Sequence, residues 1–114
     1  EIMAQNFRNY LKQNTGTVPV DLLGGAIGAS TYDCIVSLRL ANTTTSTITC
    51  EVYIADGGNN YYLIKNVPIV SGGSLELMDG GSKVVLQDGQ QLYGKSDTTT
   101  SLDTVVSVVD QIST

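Results

Sequence analysis

The chain has 114 residues, of which 41% are hydrophobic, so it is long enough for one domain with a modest core and too short for two. Six basic and eleven acidic residues give a formal charge of −5, which excludes a general attraction to nucleic acid or to anionic membranes. Histidine is absent, so neither a Ser-His-Asp nor a Cys-His catalytic set can be assembled. We therefore expect no enzyme, no cofactor and no metal. We expect residues 3–114 to form a single domain, with Glu1 and Ile2 as additions in front of an initiating Met3.

The segment Asn6–Gln13 alternates with period two, which predicts a strand at the edge of a sheet. One of its faces carries Arg8, Tyr10 and Lys12, and the other carries Phe7, Asn9 and Leu11. The wider range 3–16 is predicted either as this edge strand or as an N-terminal arm. Thr17–Leu22 is predicted as a short second strand, and its Pro19 places it at a sheet edge or a strand start.

The clearest alternation lies between Asp33 and Ala55, which we predict to be a β-hairpin around a polar loop at Asn42–Ser46. With the loop centred, Cys34 lies about 13 Å along the strand from the position opposite Cys50, beyond disulfide reach. A tighter loop would instead set the two cysteines opposite each other. We expect free cysteines packed in the core, with a disulfide as the alternative.

The second half of the chain is predicted to form further strands separated by turns. Asp56–Asn60 has residues that tolerate positive φ, which predicts a second hairpin directly after the first. Val67–Val70 is predicted to cross from one sheet to the other. Turns are predicted at Asp79–Gly81 and at Asp88–Gly89. The predicted strands are Tyr61–Val67, Ser74–Met78, Lys83–Gln87, Gln90–Lys95 and Leu102–Ile112.

The last strand is apolar on both faces, with Val106 and Val108 on one side and Val105 and Val109 on the other. Such a strand is either central and covered on both sides, or covered on one side by a neighbouring subunit. The number and spacing of the strands predict an all-β fold. We expect an antiparallel β-sandwich, Ig-like or jelly-roll-like, with about eight short strands and no substantial helix.

No motif in the chain carries chemistry. Gly24–Gly28 lacks the spacing of a dinucleotide-binding loop and the lysine of a P-loop, and a strand follows where both motifs need a helix. The aspartates in predicted turns have the local bonding role that is usual there. Tyr61 and Tyr62 are adjacent, so one of them must face away from the core. That tyrosine either covers its own sheet or anchors an interface.

Three stretches of the sequence carry a family resemblance. They are MAQNFRNY from Met3, IVSLRLANTTTSTIT from Ile35, and YYLIKNVPIVSGGSLELMDGGSKVVLQDGQQL from Tyr61 to Leu92, the most specific of the three. The chain, over nearly its whole length, resembles small virion structural proteins of tailed phages that infect marine bacteria, cyanophages especially. The resemblance implies a single β-sandwich module that assembles on the particle, and it implies no catalytic residues.

What the resemblance implies about function is a non-enzymatic virion protein, most simply a capsid decoration or cement protein. Its expected partner is the major capsid protein or another virion protein, together with self-association for which a trimer is one arrangement. Its expected location is the virion, assembled in the host cytoplasm. A tail, neck or fibre component that acts as an adapter or binds a receptor or glycan is the alternative. The candidate interface residues are Phe7, Tyr10, Tyr61 and Tyr62.

Overall fold

The computed structural model describes residues 6–25, 27, 31–78, 83–87 and 89–113. These ranges form an all-β sandwich of two antiparallel sheets without a helix, so the predicted fold class is confirmed. The described residues form nine strands where about eight were predicted: β1 (Asn6–Thr15), β2 (Val20–Asp21), β3 (Thr31–Asn42), β4 (Ile48–Asp56), β5 (Asn59–Ile69), β6 (Ser74–Glu76), β7 (Val84–Gln87), β8 (Gln91–Ser96) and β9 (Leu102–Ser113). The predictions for residues 1–3, Gly28, the turn at 79–81 and Asp88 lie outside the described residues.

One sheet has five strands and the other has four. In the five-stranded sheet the order is β1-β9-β3, and both β6 and β7 pair with β3 on its far side. In the four-stranded sheet the order is β2-β8-β4-β5. β1 lies at an edge, as predicted. β2 and β5 also lie at edges, which accommodates Pro19 just before β2 and Pro68 within β5, because an edge strand tolerates a residue without an N–H donor.

The predicted hairpin between Asp33 and Ala55 is wrong. Both of its arms are strands, but β3 belongs to the five-stranded sheet and β4 to the four-stranded sheet. The neighbours of β3 are β9, β6 and β7, whereas β4 pairs with β5 and β8. The polar loop between β3 and β4 therefore carries the chain from one sheet to the other.

Asn42 holds this crossing in place. Its side-chain Nδ2 donates to the carbonyl oxygens of Ser46 at 2.7 Å and of Ile69 at 2.9 Å. Its Oδ1 accepts from the backbone N–H and the hydroxyl of Thr44, both at 2.8 Å. Its own backbone N–H donates to the carbonyl of Gly73 at 2.9 Å. Because Ile69 ends β5 and Gly73 precedes β6, the amide joins the loop to the second crossing between the sheets.

The predicted second hairpin is confirmed. β4 and β5 are joined by a two-residue turn, with Asp56 opposite Asn59. Gly57 and Gly58 occupy the turn with φ of 60° and 87°. Positive φ at both central residues matches the right-handed twist of the strands and is a conformation that glycine adopts without steric cost.

The core lies between the two sheets and takes side chains from both. Its fully buried members are aliphatic, with relative exposures of 0–1%: Leu22, Ile35, Leu38, Leu40, Ile48, Val52, Leu86, Leu92, Leu102, Val106 and Val108. Gly94 of β8 makes room for one of them, because a Cβ there would lie 3.1 Å from Cδ1 of Leu22. Packing of this kind positions both outer faces of the sandwich and the edges of its sheets, which are surfaces available to partners.

Candidate interaction surface

The described ranges contain no group of three or more Cys, Asp or Glu side chains arranged to hold a metal ion. They also contain no helix of the length and apolarity that crossing a bilayer requires. The surface features that remain are exposed apolar and aromatic side chains. These exposed apolar and aromatic side chains form the candidate interaction surface.

β1 carries its apolar side chains on the outside of the sandwich. Its register with β9 sets Tyr10 opposite Val106, which is buried in the core. Since side chains alternate along a strand, Phe7 and Leu11 lie on the opposite, outer face, where they are 81% and 64% exposed. Burying such a side chain typically contributes about 1.5–3 kcal/mol. Leaving both in water is therefore a sign of a contact surface.

The outer face of the five-stranded sheet continues this apolar character across the strands. One row of directly opposed residues spans four strands and consists of Phe7, Val109, Cys34 and Val85. A second row consists of Leu11, Val105, Arg39 and Glu76. A polar row of Asn9, Ser107 and Ser37 lies between them. We call the surface formed by Phe7, Leu11, Cys34, Val36, Val85, Val105 and Val109 the outer apolar face.

Five members of the outer apolar face are exposed large hydrophobics: Phe7, Leu11, Val36, Val85 and Val105. Together they expose roughly 400–500 Å², which is the size of the largest apolar patch on a typical monomer. Of the two alternatives for β9, the strand is central in its sheet, but Val105 on its outer side is still 41% exposed. No described element of the chain covers this side.

At one end of the outer apolar face, the carboxylate of Glu76 is held in place by several hydrogen bonds. Glu76 accepts hydrogen bonds from the backbone N–H of Leu38 at 2.8 Å and of Met78 at 3.1 Å, and from the Ser37 hydroxyl at 2.9 Å. Its Oε1 lies 3.8 Å from Nε of Arg39. Partial burial tends to raise the pKa of Glu76, but these hydrogen bonds and Arg39 together hold it below its ordinary value. The carboxylate ties β6 to β3.

The outer face of the four-stranded sheet carries a row of tyrosines. Tyr53 lies between Tyr62 and Tyr93, with ring centroids 5.1 Å and 5.6 Å apart. Nζ of Lys65 lies 4.5 Å from the centroid of the Tyr62 ring, within the range of a cation–π contact. Burial, then the neighbouring Tyr62 and Tyr93 and then Glu51, raises the pKa of Tyr53. The rings cover one another, so this row stabilises its own sheet and presents mainly Tyr62 to a partner.

The structure does not bring the four predicted interface residues together. Phe7 lies on the outer apolar face, whereas Tyr10 turns inward and packs against the core. Tyr62 lies on the outer face of the opposite sheet, where it is 41% exposed. Tyr61 lies opposite Ile54 beside the β4–β5 turn and is 57% exposed.

Sequence reasoning missed Leu11, Val36 and Val85 as surface candidates. The alternation in β1 and the two apolar faces of β9 were the signals that could have found this surface.

The two cysteines are free and belong to different sheets. Cys34 is half-buried within the outer apolar face, and Cys50 is buried on the core side of β4. Burial, followed by the charges of Asp97 and Glu51, raises the pKa of the Cys50 thiol to about 11. The expected free state is thus observed, and Cys50 packs in the core as predicted. The prediction that Cys34 also packs in the core is wrong, because it lies on the outer side of β3, and the two cysteines are separated by sheet rather than by register along a hairpin.

An apolar concavity lies between the sheets on the side of β5 and β6. It has a volume of about 350 Å³ and is lined by Leu63, Ile64, Val67, Leu75, Glu76, Leu77, Met78 and Val84. Among the residues that the structure describes, Glu76 is the only charged one in this lining, and its carboxylate is already hydrogen-bonded. The concavity is suited to an apolar side chain or short segment rather than to a polar ligand.

Comparison with known proteins adds one fold relationship. No family model and no curated protein matches the chain. Among solved structures, the chain is similar to a protein of the Bacillus endospore appendages, which are described as a novel family of disulfide-linked pili. The TM-score is 0.57 at 8% sequence identity, over 98% of this chain and 89% of that chain. The two proteins share a fold.

Proposed function

We propose that this chain is a non-enzymatic structural module that assembles into a larger particle through the outer apolar face of its five-stranded sheet. The observation that carries the proposal is the exposure of this face, above all of Phe7 and Leu11 on β1. The fold of the chain also occurs in a pilus protein, so such a sandwich is compatible with a repeating subunit.

The particle we propose is the virion of a tailed phage, on the basis of the sequence resemblance described above. In this setting the chain is a capsid decoration or cement protein that docks on the major capsid protein in the virion. It adds contacts to the head lattice without a covalent step.

The size of the outer apolar face sets the strength of such docking. At about 25 cal/mol per Å², burying 400–500 Å² contributes about 10 kcal/mol. Association costs about 4–15 kcal/mol in lost freedom of motion. For a single copy, the free energy gained by burial is therefore about equal to the cost of association. Stable attachment requires several linked contacts, as in an oligomer that docks at more than one point.

A matched pair of valine substitutions tests this docking. Val85→Lys places a charge in the outer apolar face, and Val70→Lys places the same charge on an exposed valine after β5, outside that face. Purified variants are added to particles that lack the protein, and the bound amount is measured by sedimentation and imaging. We expect Val85→Lys to reduce binding at least tenfold and Val70→Lys to leave it within twofold. Equal binding by the two variants would refute the proposed surface.

The alternative is a tail, neck or fibre component that acts as an adapter or binds a receptor or glycan. The observation that favours it is Tyr62, exposed on the outer face of the other sheet beside Lys65, since aromatic side chains are enriched at binding surfaces. The number of copies per particle separates the two roles. A decoration protein follows the number of capsid subunits, whereas a tail, neck or fibre component is present in far fewer copies.

A further inference from the structure

We propose that two copies of this chain associate by antiparallel pairing of their β1 strands about a twofold axis that passes through Asn9. The pairing joins the two five-stranded sheets into one continuous sheet. It deepens the proposed assembly function by naming a second copy as one partner. It is measured on the isolated chain, so its failure is distinct from a failure of particle docking.

The first support is the open edge of β1. Within the described residues, β1 pairs with β9 on one side and no strand pairs on the other. An open edge presents unpaired backbone groups to another strand. The regular ladder of β1 runs from Asn6 to Lys12 before the register shifts, and the centre of that segment is Asn9. Pairing about Asn9 therefore matches the whole regular segment with its own copy.

The second support is the distribution of charge, which distinguishes this register from its neighbours. A twofold axis perpendicular to the sheet pairs residues of the same face, so the symmetric registers are centred on single residues. Centring on Arg8 sets Arg8 against itself, and centring on Tyr10 sets Arg8 against Lys12 twice. Like charges that are directly opposed destabilise a strand pair. Centring on Asn9 sets Arg8 opposite Tyr10 and Lys12 opposite Asn6, so no two cations face each other.

The third support is the match of apolar side chains on the outer face. In the register about Asn9, Phe7 lies opposite Leu11 of the second copy, and the reverse pair forms as well. Phe7 is already opposite Val109, and Leu11 is opposite Val105. Each pair thus completes an apolar row of four side chains that crosses the junction, in the order valine, phenylalanine, leucine, valine. Pairing shields the edge-facing sides of Phe7 and Leu11, the two most exposed members of the outer apolar face, and leaves their outward sides exposed.

A cross-linking experiment tests the register. Cys34→Ser removes the half-buried thiol, while Cys50 stays because it is buried. In this background, Asn9→Cys places a thiol on the proposed axis. The control is Gln13→Cys, an exposed position on the same strand whose copy lies about 26 Å away at strand rise. A short bismaleimide is added to each variant at about 100 µM protein, a concentration at which a micromolar pair is mostly formed.

We expect covalent dimers for most of the Asn9→Cys chains and for few of the Gln13→Cys chains. Sedimentation equilibrium of the unmodified chain is expected to show a dimer. A monomer at this concentration, or equal cross-linking at the two positions, would overturn the proposal.

A charge-swap experiment tests the same register without cross-links. Phe7→Asp and Leu11→Lys each place a charge opposite an apolar side chain, so each variant alone is expected to weaken dimerisation at least tenfold. When the two variants are mixed, the new aspartate faces the new lysine across the junction, and a mixed dimer is expected to form. Circular dichroism of each variant confirms that the fold is kept. Loss of dimer in both variants without recovery in the mixture would refute the register.

Discussion

Replacement of Asn42 by alanine tests how the chain crosses between its sheets. The side chain is 2% exposed and makes four hydrogen bonds, of which the one to the Ile69 carbonyl is fully buried. Leaving a buried carbonyl without a donor costs about 1–3 kcal/mol. The remaining groups are partly exposed and water can replace part of their bonding, so they add about 1 kcal/mol. We expect Asn42→Ala to lower the free energy of unfolding by about 2–4 kcal/mol.

The companion substitution Asn42→Asp sharpens the test because it keeps the shape of the side chain. The carboxylate can still accept from Thr44, but its second oxygen then faces the carbonyl oxygens of Ser46 and Ile69. A buried charge without a donor costs more than a missing side chain. At neutral pH we therefore expect Asn42→Asp to be less stable than Asn42→Ala.

Urea unfolding followed by circular dichroism measures both effects, with the slope against urea as a check that unfolding remains two-state. The control is Asn60→Ala, an exposed asparagine of β5, which is expected to change stability by less than about 0.5 kcal/mol. If Asn42→Ala were also within 0.5 kcal/mol of the unmodified chain, the loop would not be held by this amide. A simple hairpin loop with an exposed Asn42 would give that result.

Three further predictions concern single side chains. Thr104→Val is expected to raise the free energy of unfolding in urea by up to about 1 kcal/mol, because Thr104 Oγ1 is buried without a hydrogen-bond partner among the described residues. A fall of more than about 1 kcal/mol in the free energy of unfolding would contradict this. Glu76 has a lowered pKa, so its stabilising contribution is present above the ordinary glutamate pKa and is lost as the pH falls through its folded value. The stability difference between the unmodified chain and Glu76→Gln should therefore shrink as the pH falls from about 6 through and below the ordinary glutamate pKa, with Glu51→Gln as the control for the loss of one charge; a constant difference would exclude the linkage. Maleimide at pH 7.5 should modify Cys34 and leave Cys50 unmodified until the protein unfolds, since Cys50 is buried and its pKa is raised to about 11. Peptide mass spectrometry identifies the modified residue. Faster reaction at Cys50 than at Cys34 would refute the burial of Cys50.

The places of the strands followed from local pattern. Period-two alternation, together with turn residues such as Gly57 and Gly58, predicted the long strands and the β4–β5 hairpin. The prediction of which side chains share each face of β1 was also correct, with Phe7 and Leu11 on one side and Tyr10 on the other. These features depend on residues close together in the chain, and local sequence determines them.

The pairing of β3 with β4 could not be predicted in the same way. A short polar loop can turn the chain within one sheet or carry it to the facing sheet, and both outcomes keep the same alternation in the flanking strands. Here the outcome depends on bonds from Asn42 to Ile69 and Gly73, which lie about thirty residues further along the chain. Local pattern contains no information about such distant partners.

The same distinction between local pattern and distant pairing applies to the candidate surface. Alternation along each strand was enough to predict that Phe7 and Leu11 share a face of β1 and that β9 is apolar on both sides, because alternation is a property of each strand alone. The packing of the two sheets turns these faces outward, and the strand pairing extends them across the sheet to Cys34 and Val85. The tertiary structure also turned Tyr10 toward the core and placed Tyr62 on the opposite sheet. The physical reason is register: which strands pair, and with what offset, sets which side chains meet on a common face.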